Sequence, residues 1–332
     1  MKKILIIQTA FIGDVVLATG VIEKLGTYFP DSKIDFLLRS GNESLLANNP
    51  YINEILTWNK KEKKLRNLFA MIRMIRERRY DRVINLQRFF STGLITVLSR
   101  ARYTSGFNKN PLSFLFSNKV KHIISTDYPI NQESYRNNDL VEDFTDGLIY
   151  LPILYPSPAD YEIVKQYVSS VYVTMSPSSV WFTKKYPFEK WLELLNAFPD
   201  RYTVYLLGGA DDVEECERLV AQTVNKKVVP LAGRLSFLQS AALMKRAVTN
   251  YTNDSAPLHF GSAMNASVTA IFCSTIPAFG FGPTSQKSFT IQTTEALACR
   301  PCGLHGKNSC PKSHFKCAYG IEVNQLLAIL PA

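Results

Sequence analysis

The chain has 332 residues, of which 46% are hydrophobic and 20% charged, with 38 lysines and arginines against 28 aspartates and glutamates for a formal charge of +10. That length suggests two domains of roughly 150 residues each, and the composition excludes a disordered, collagen-like or low-complexity chain. No apolar run reaches the roughly 18 uninterrupted residues of a membrane helix. The opening residues 1–7 imitate a signal peptide, but Gln8, Thr9 and Asp14 interrupt the apolar stretch; the expectation is a cytoplasmic protein with an intact N-terminus. Strands are expected at 3–8, 34–38, 52–57 and 82–86, and helices at 14–29, about 63–79 and 91–100. Strand and helix alternating in this way imply right-handed crossovers and a mainly parallel sheet.

Pro152, Pro156 and Pro158 crowd into residues 150–159, which is linker chemistry. Beyond it the pattern repeats, with strands expected at 172–175, 203–207, 227–230, 247–251 and 267–272. Helices are expected at 187–198, 212–224, 236–245 and 256–264. The expected fold is α/β, two Rossmann-like domains spanning 1–155 and 156–332. Ligands of such sheets lie outside the carboxyl ends of the strands, so the cleft between the domains is the expected site.

Charge is uneven. Between Lys60 and Lys109 stand fourteen basic residues against Glu62, Glu77 and Asp81, so this segment holds the whole positive excess. Such a face attracts phosphates on nucleic acid, anionic lipid or a glycan, or is simply a solvated helical surface. Arg73, Arg76 and Arg79, three residues apart, cluster on one helix face.

Four stretches, and a few residues in other loops, carry chemistry. Residues 8–14 run from a strand through a loop with Thr9 and Gly13 into a helix, placing Asp14 as a cap or as a base for a hydroxyl nucleophile. One glycine in that loop is not a dinucleotide fingerprint, which needs three. Ser178 and Ser179 after a strand, with Lys184 and Lys185 before a helix, make a phosphate cradle or an ordinary polar loop. In Asn253–His259, Asp254 or Ser255 caps a helix whose open amides would stabilise a departing diphosphate, with Ala256 at its start and His259 one turn in. Gly209, Asp212 and Gly233 follow other strands and offer a ribose or base contact. Last, Cys299, Cys302, Cys310 and Cys317 have the spacing of a structural zinc site, of reduced thiols or of a disulfide pair; their crowding near the end of the chain fits a reducing compartment.

In order, residues 12–14, 184–187, 231–236, 253–259 and 299–302 resemble glycosyltransferase family 9, the ADP-heptose:lipopolysaccharide heptosyltransferases. The resemblance implies a GT-B fold, with the acceptor on the first domain and the nucleotide-sugar on the second. It implies inversion at the anomeric carbon without a catalytic metal or other cofactor. Asp14 would deprotonate the acceptor hydroxyl, aided by Thr9, Gly13 and the Arg73, Arg76 and Arg79 face. Lys184, Lys185, Ser178 and Ser179 would hold the donor diphosphate, while Asp254, Ser255, Ala256 and His259 line the donor. Family members usually have glycine where this chain has Ala256, which leaves a related sugar nucleotide open. The implied partners are ADP-heptose, a phosphorylated lipid-linked glycan and the inner-leaflet surface, with the protein held peripherally at the inner membrane. No nucleic acid is expected: a basic nucleic-acid binder with a zinc tail would leave the Asp14 and Asp254 loops without purpose. A nicotinamide-dependent oxidoreductase is disfavoured by the lack of a glycine-rich fingerprint.

Overall fold

The computed structural model describes residues 2–60, 62–124 and 132–331. The chain divides into two compact units, the first ending at Tyr155 and the second continuing from Pro156. Among the described residues no helix is long and apolar enough to cross a membrane.

In the first unit, β1 (Lys3–Ile7), β2 (Lys33–Arg39), β3 (Ile52–Trp58), β4 (Arg82–Asn85), β5 (Tyr103–Phe107) and β6 (Asn118–Val120) form one sheet in the order β3-β2-β1-β4-β5-β6. Every neighbouring pair is parallel. Ile4, Leu5, Ile6 and Ile7 are all fully buried, as expected of a central strand covered on both faces. The helices are α1 (Ile12–Tyr28), α2 (Lys64–Arg78), α3 (Phe90–Leu98) and α4 (Glu133–Asp139), the last packed on α1. Met71, Ile72 and Ile75 of α2 and Ile95 of α3 close over Leu5, Leu37 and Val83. Each such side chain contributes about 1.5–3 kcal/mol when fully buried.

The second unit begins with α5 (Pro158–Val164) and contains β7 (Tyr172–Ser176), β8 (Thr203–Leu206), β9 (Val228–Pro230), β10 (Asn250–Asn253), β11 (Val268–Ile271) and β12 (Ser288–Ile291). These strands lie in the order β12-β11-β10-β7-β8-β9, again all parallel. Helices α6 (Phe188–Ala197), α7 (Val213–Gln222), α8 (Phe237–Met244) and α9 (Ala256–Ala263) alternate with the strands, and short α10 (Lys316–Tyr319) and α11 (Val323–Leu327) end the chain. Trp191, Leu194 and Leu195 of α6 pack on Val173, Val204 and Tyr251, and the tail adds Phe315, Ala318, Ile321 and Leu326 to the same core. Two buried tyrosines tie the tail down, Tyr186 donating its hydroxyl to the Ile321 carbonyl (2.9 Å) and Tyr251 to that of Leu326 (3.0 Å).

Several elements depart from the sequence expectation. Strands β5, β6 and β12 and helices α4, α5, α10 and α11 were not anticipated. Strand β5 reads Tyr-Thr-Ser-Gly-Phe, too polar to signal burial, while three-residue β6 and half-buried β12 lie at sheet edges. The strand expected at 247–251 lies at Asn250–Asn253, because the ladder pairs polar residues Asn250, Thr252 and Asn253 that a hydrophobicity pattern overlooks.

In each unit the chain winds outward from a central strand and then returns to its other side. The reversal falls between β1 and β4 in the first sheet and between β7 and β10 in the second. At such a switch point the two loops leaving the carboxyl ends diverge and leave a crevice.

Candidate functional site

At the first switch point the loop after β1 leads directly into α1. The helix starts at Ile12, so Gly13 and Asp14 lie in its first turn. Asp14 is the third helical residue, and its Oδ2 accepts from the backbone N–H of Phe11 at 3.2 Å. It is half-buried, not sealed. A carboxylate there stabilises the helix start and remains at the carboxyl edge of the sheet. Cap and base are therefore compatible.

The loop between β1 and α1 is tied to the chain just past β3 and β4 by polar contacts. Thr9 donates its hydroxyl to Gln87 Oε1 at 2.9 Å, and Gln87 in turn donates to Gln8. Lys60, two residues past β3, places Nζ 2.6 Å from Thr9 Oγ1, 2.9 Å from the Thr9 carbonyl and 4.7 Å from the centre of the Trp58 ring. Burial, reinforced by the charges of Arg39 and Lys64, pushes its ammonium down to about 8. Lys60 and Gln87 were missed as site residues by sequence reading; the signal lay in their position just past the ends of β3 and β4.

The expected arginine face is corrected by the topology. Helix α2 runs back from the carboxyl edge to the start of β4, so its second half lies toward the amino edge. Arg73 is paired with Glu77 at 2.9 Å, and Arg79 is not helical but caps α2 in a left-handed conformation. The helix therefore carries Arg73, Arg76 and Arg79 away from Asp14. The exposed residues at its start are Lys64, Leu65, Arg66 and Phe69.

At the second switch point the structure brings Lys184 and Asp254 together. Lys184, in a single 3₁₀ turn (Phe182–Lys184), places Nζ 2.6 Å from Asp254 Oδ2, and both side chains are largely buried. Thr275, in the loop after β11, donates its hydroxyl to the same oxygen at 2.6 Å. Asn253, the residue before Asp254 at the end of β10, is fully buried. Its side-chain amide donates to the Pro177 carbonyl (2.6 Å), and its Oδ1 accepts from the Tyr186 amide (2.9 Å). The same side-chain amide lies 3.4 Å from the Ser178 carbonyl, and Ser178 and Ser179 are half-buried.

His259 is one turn into α9 and 5% exposed, with Nδ1 left without a hydrogen-bond partner among the described residues. Burial holds its imidazole down at about 4, Lys184 pushing the same way and Asp254 opposing. It is neutral at pH 7. The unfolded chain therefore takes up this proton first on acidification, so stability is lost as pH falls from about 6.5 towards 4. Urea unfolding is expected to show a loss of about 3 kcal/mol over that window, much reduced in His259→Asn. Equal pH slopes for the two proteins would contradict a buried neutral imidazole.

Other expected donor residues are partly committed. Lys185 Nζ and the Ser178 hydroxyl both sit on Glu215, at 3.2 and 3.1 Å. Glu215 was not anticipated. Asp212 caps the turn at 210–212 by accepting from the Gly209 amide at 2.8 Å, so its role is local. Gly233 has φ +71°, and a β-carbon there would meet Val213 Cγ2 at 2.9 Å; its N–H bonds the Gly208 carbonyl at 3.0 Å. Glycine is needed there for both backbone and space. The amide-rich cradle at α9 is also thinner than expected. Ser255 is the N-cap without a side-chain cap bond, Pro257 has no N–H, and the Leu258 amide turns back to the Ser255 carbonyl at 3.1 Å. Ala256 opens the helix, half-buried.

Of the three readings open for the tail cysteines, the structure has free thiols. Among the described residues no group of three or more His, Cys, Asp or Glu side chains is arranged to hold a metal ion. Cys317 is drawn into the core on α10, while Cys299, Cys302 and Cys310 stay in partly exposed turns. Burial pushes the Cys317 thiol up to about 11, against the pull of Arg300.

Two Rossmann-like units, each with its polar groups gathered at the switch point of a six-stranded parallel sheet, are the GT-B plan of glycosyltransferases. The family model described as glycosyltransferase family 9 (heptosyltransferase) matches residues 68–308. The chain belongs to that family. Lipopolysaccharide heptosyltransferase 3 of Escherichia coli is 29% identical over 290 residues, covering 80% of this chain and 82% of the relative. Among solved structures, a family 9 glycosyl transferase from Veillonella parvula superposes with a TM-score of 0.84 at 20% identity, covering 99% of this chain and 96% of its own. The E. coli ADP-heptose lps heptosyltransferase II gives 0.79 at 20% identity, covering 99% and 97%.

Proposed function

We propose that the chain transfers heptose from ADP-heptose to a phosphorylated, lipid-linked core glycan, with inversion and without a catalytic metal. The observation that carries this reading is the Lys184–Asp254–Thr275 cluster at the switch point of the second sheet, in a member of family 9. The donor is assigned to the second unit. Lys184 meets the diphosphate as a point charge and offsets the negative charge growing on the leaving group. Ser178 and Ser179 supply hydroxyls, and Ala256 and His259 border the sugar.

The acceptor is assigned to the first unit. Asp14 takes the proton from the attacking hydroxyl, the requirement of direct displacement at an anomeric carbon. Lys60 offers its charge to an acceptor phosphate. Since the ammonium loses its proton as pH rises through about 8, acceptor KM is expected to climb across that point and to be flat in Lys60→Met. A flat wild-type profile rules that contact out.

The protein is proposed to work peripherally at the cytoplasmic face of the inner membrane, where Leu65 and Phe69 project beside Lys64 and Arg66. An apolar pair beside cations suits an anionic interface. Sedimentation with vesicles containing phosphatidylglycerol is expected to be salt-sensitive and weakened in Leu65→Ser/Phe69→Ser; binding unchanged by that double substitution contradicts the assignment.

The deciding experiment offers ADP-heptose and other sugar nucleotides, with defined lipopolysaccharide-core acceptors, in the presence of EDTA. Transfer from ADP-heptose with an inverted anomeric signal by NMR supports the proposal. A preference for another sugar nucleotide, which the methyl of Ala256 would favour, corrects the donor. Loss of turnover in EDTA overturns metal independence.

A further inference from the structure

The tail residues 300–307 direct their polar atoms onto the two loops that hold Asp254. Arg300 donates from Nε to the Cys273 carbonyl (2.7 Å) and from Nη2 to the carbonyls of Phe272 (3.2 Å) and Thr275 (2.8 Å), and also to Gln292 Oε1 (2.8 Å). The Cys302 amide takes the remaining carbonyl, that of Ser274, at 2.8 Å. All four carbonyls from Phe272 to Thr275 are thereby held by residues 300 and 302. A planar guanidinium with fixed donor directions suits this multiple grip as lysine does not.

The next turn grips the Lys184 loop. The Thr183 amide donates to the Lys307 carbonyl (3.0 Å), and the Lys307 amide to Thr183 Oγ1 (2.8 Å). Gly306, at φ +76°, lies so close that a β-carbon would stand 3.1 Å from Lys184 Cγ and 3.0 Å from Trp181 Cβ. The gripped loops are also joined to each other, Ser274 bonding Thr183 through its amide (3.3 Å) and its hydroxyl (3.0 Å).

We propose that Arg300 and the Gly306–Lys307 turn are positioning residues of the donor site, a strap that sets Thr275 and Lys184 on Asp254. The proposal rests on the donor reading above. None of these residues is placed against the ligand; each acts through a loop. A displacement of about 1 Å in such a shell is enough to cost large factors in binding or rate.

The test uses the whole protein, with ADP as the probe in calorimetry and amide exchange by mass spectrometry. Arg300→Ala is expected to weaken ADP about tenfold at unchanged stoichiometry and to speed exchange in peptides covering 181–186 and 272–276. Peptides covering 8–16 should be unaffected. Arg300→Lys recovers part of the affinity, Gly306→Val reproduces the loss from the other grip, and exposed Lys312→Ala changes nothing. A merely structural role would lower the competent fraction and leave the Kd of the remainder intact, which overturns the proposal. So does faster exchange with ADP affinity kept within about twofold. Failure of the wild type to bind ADP overturns the donor reading, and the strap's purpose with it.

Discussion

Asp14→Asn is expected to lower turnover by about a thousandfold while leaving ADP affinity within about twofold. The substitution is chosen because asparagine still accepts from the Phe11 amide, as Asp14 does at 3.2 Å, so α1 keeps its cap. What disappears is the basic oxygen and its favourable charge at the helix start, the latter worth only about 0.3–1 kcal/mol. Asp14→Ala removes the cap as well and should cost about 1 kcal/mol more of stability. Steady-state kinetics beside urea unfolding separates the two effects. Near-normal turnover in Asp14→Asn would leave the carboxylate as a cap alone, and the base would have to be sought elsewhere.

The second large effect concerns Lys184. Its removal should weaken donor binding by about 10- to 100-fold, the range of a lost charge-assisted contact. It also leaves Asp254, 4% exposed, as a buried carboxylate held only by neutral donors such as Thr275, and breaking such a pair costs about 3–5 kcal/mol. Stability and binding therefore fall together in Lys184→Ala. In the double variant Lys184→Ala/Asp254→Asn the stability should largely return, since no orphaned charge remains, while donor affinity should not. Recovery of both would mean that Lys184 serves the fold and not the ligand.

The fold was legible where burial writes a continuous apolar run, as in residues 4–7 of β1, or a helical stripe, as in α2. It was illegible where strands are short and polar. Strand β10 shows why: its asparagines and threonines are satisfied by neighbours distant in sequence, and hydrophobicity carries no trace of that. The same divide runs through the site. Asp14, Lys184 and Asp254 stand in recognisable loops after strands, but that Lys184 and Asp254 pair with each other could not be read from the sequence. Thr275 carries no motif and is known only through the oxygen it shares with Lys184. Arg73, Arg76 and Arg79 were misjudged because helical spacing gives a face but not which end of the sheet that face reaches. The cysteine spacing left zinc, free thiols and a disulfide pair open for a related reason: spacing gives reach, whereas the apolar core decided where Cys317 went.

A cation already neutralised at 2.6 Å offers little to a passing anion. Free phosphate would have to share Lys184 with a carboxylate that repels it, for the return of one weak contact. A nucleotide diphosphate brings base, ribose and sugar to offset that repulsion. The closed pair thus screens the pocket against the common small anions of the cell, and millimolar phosphate should be a poor inhibitor.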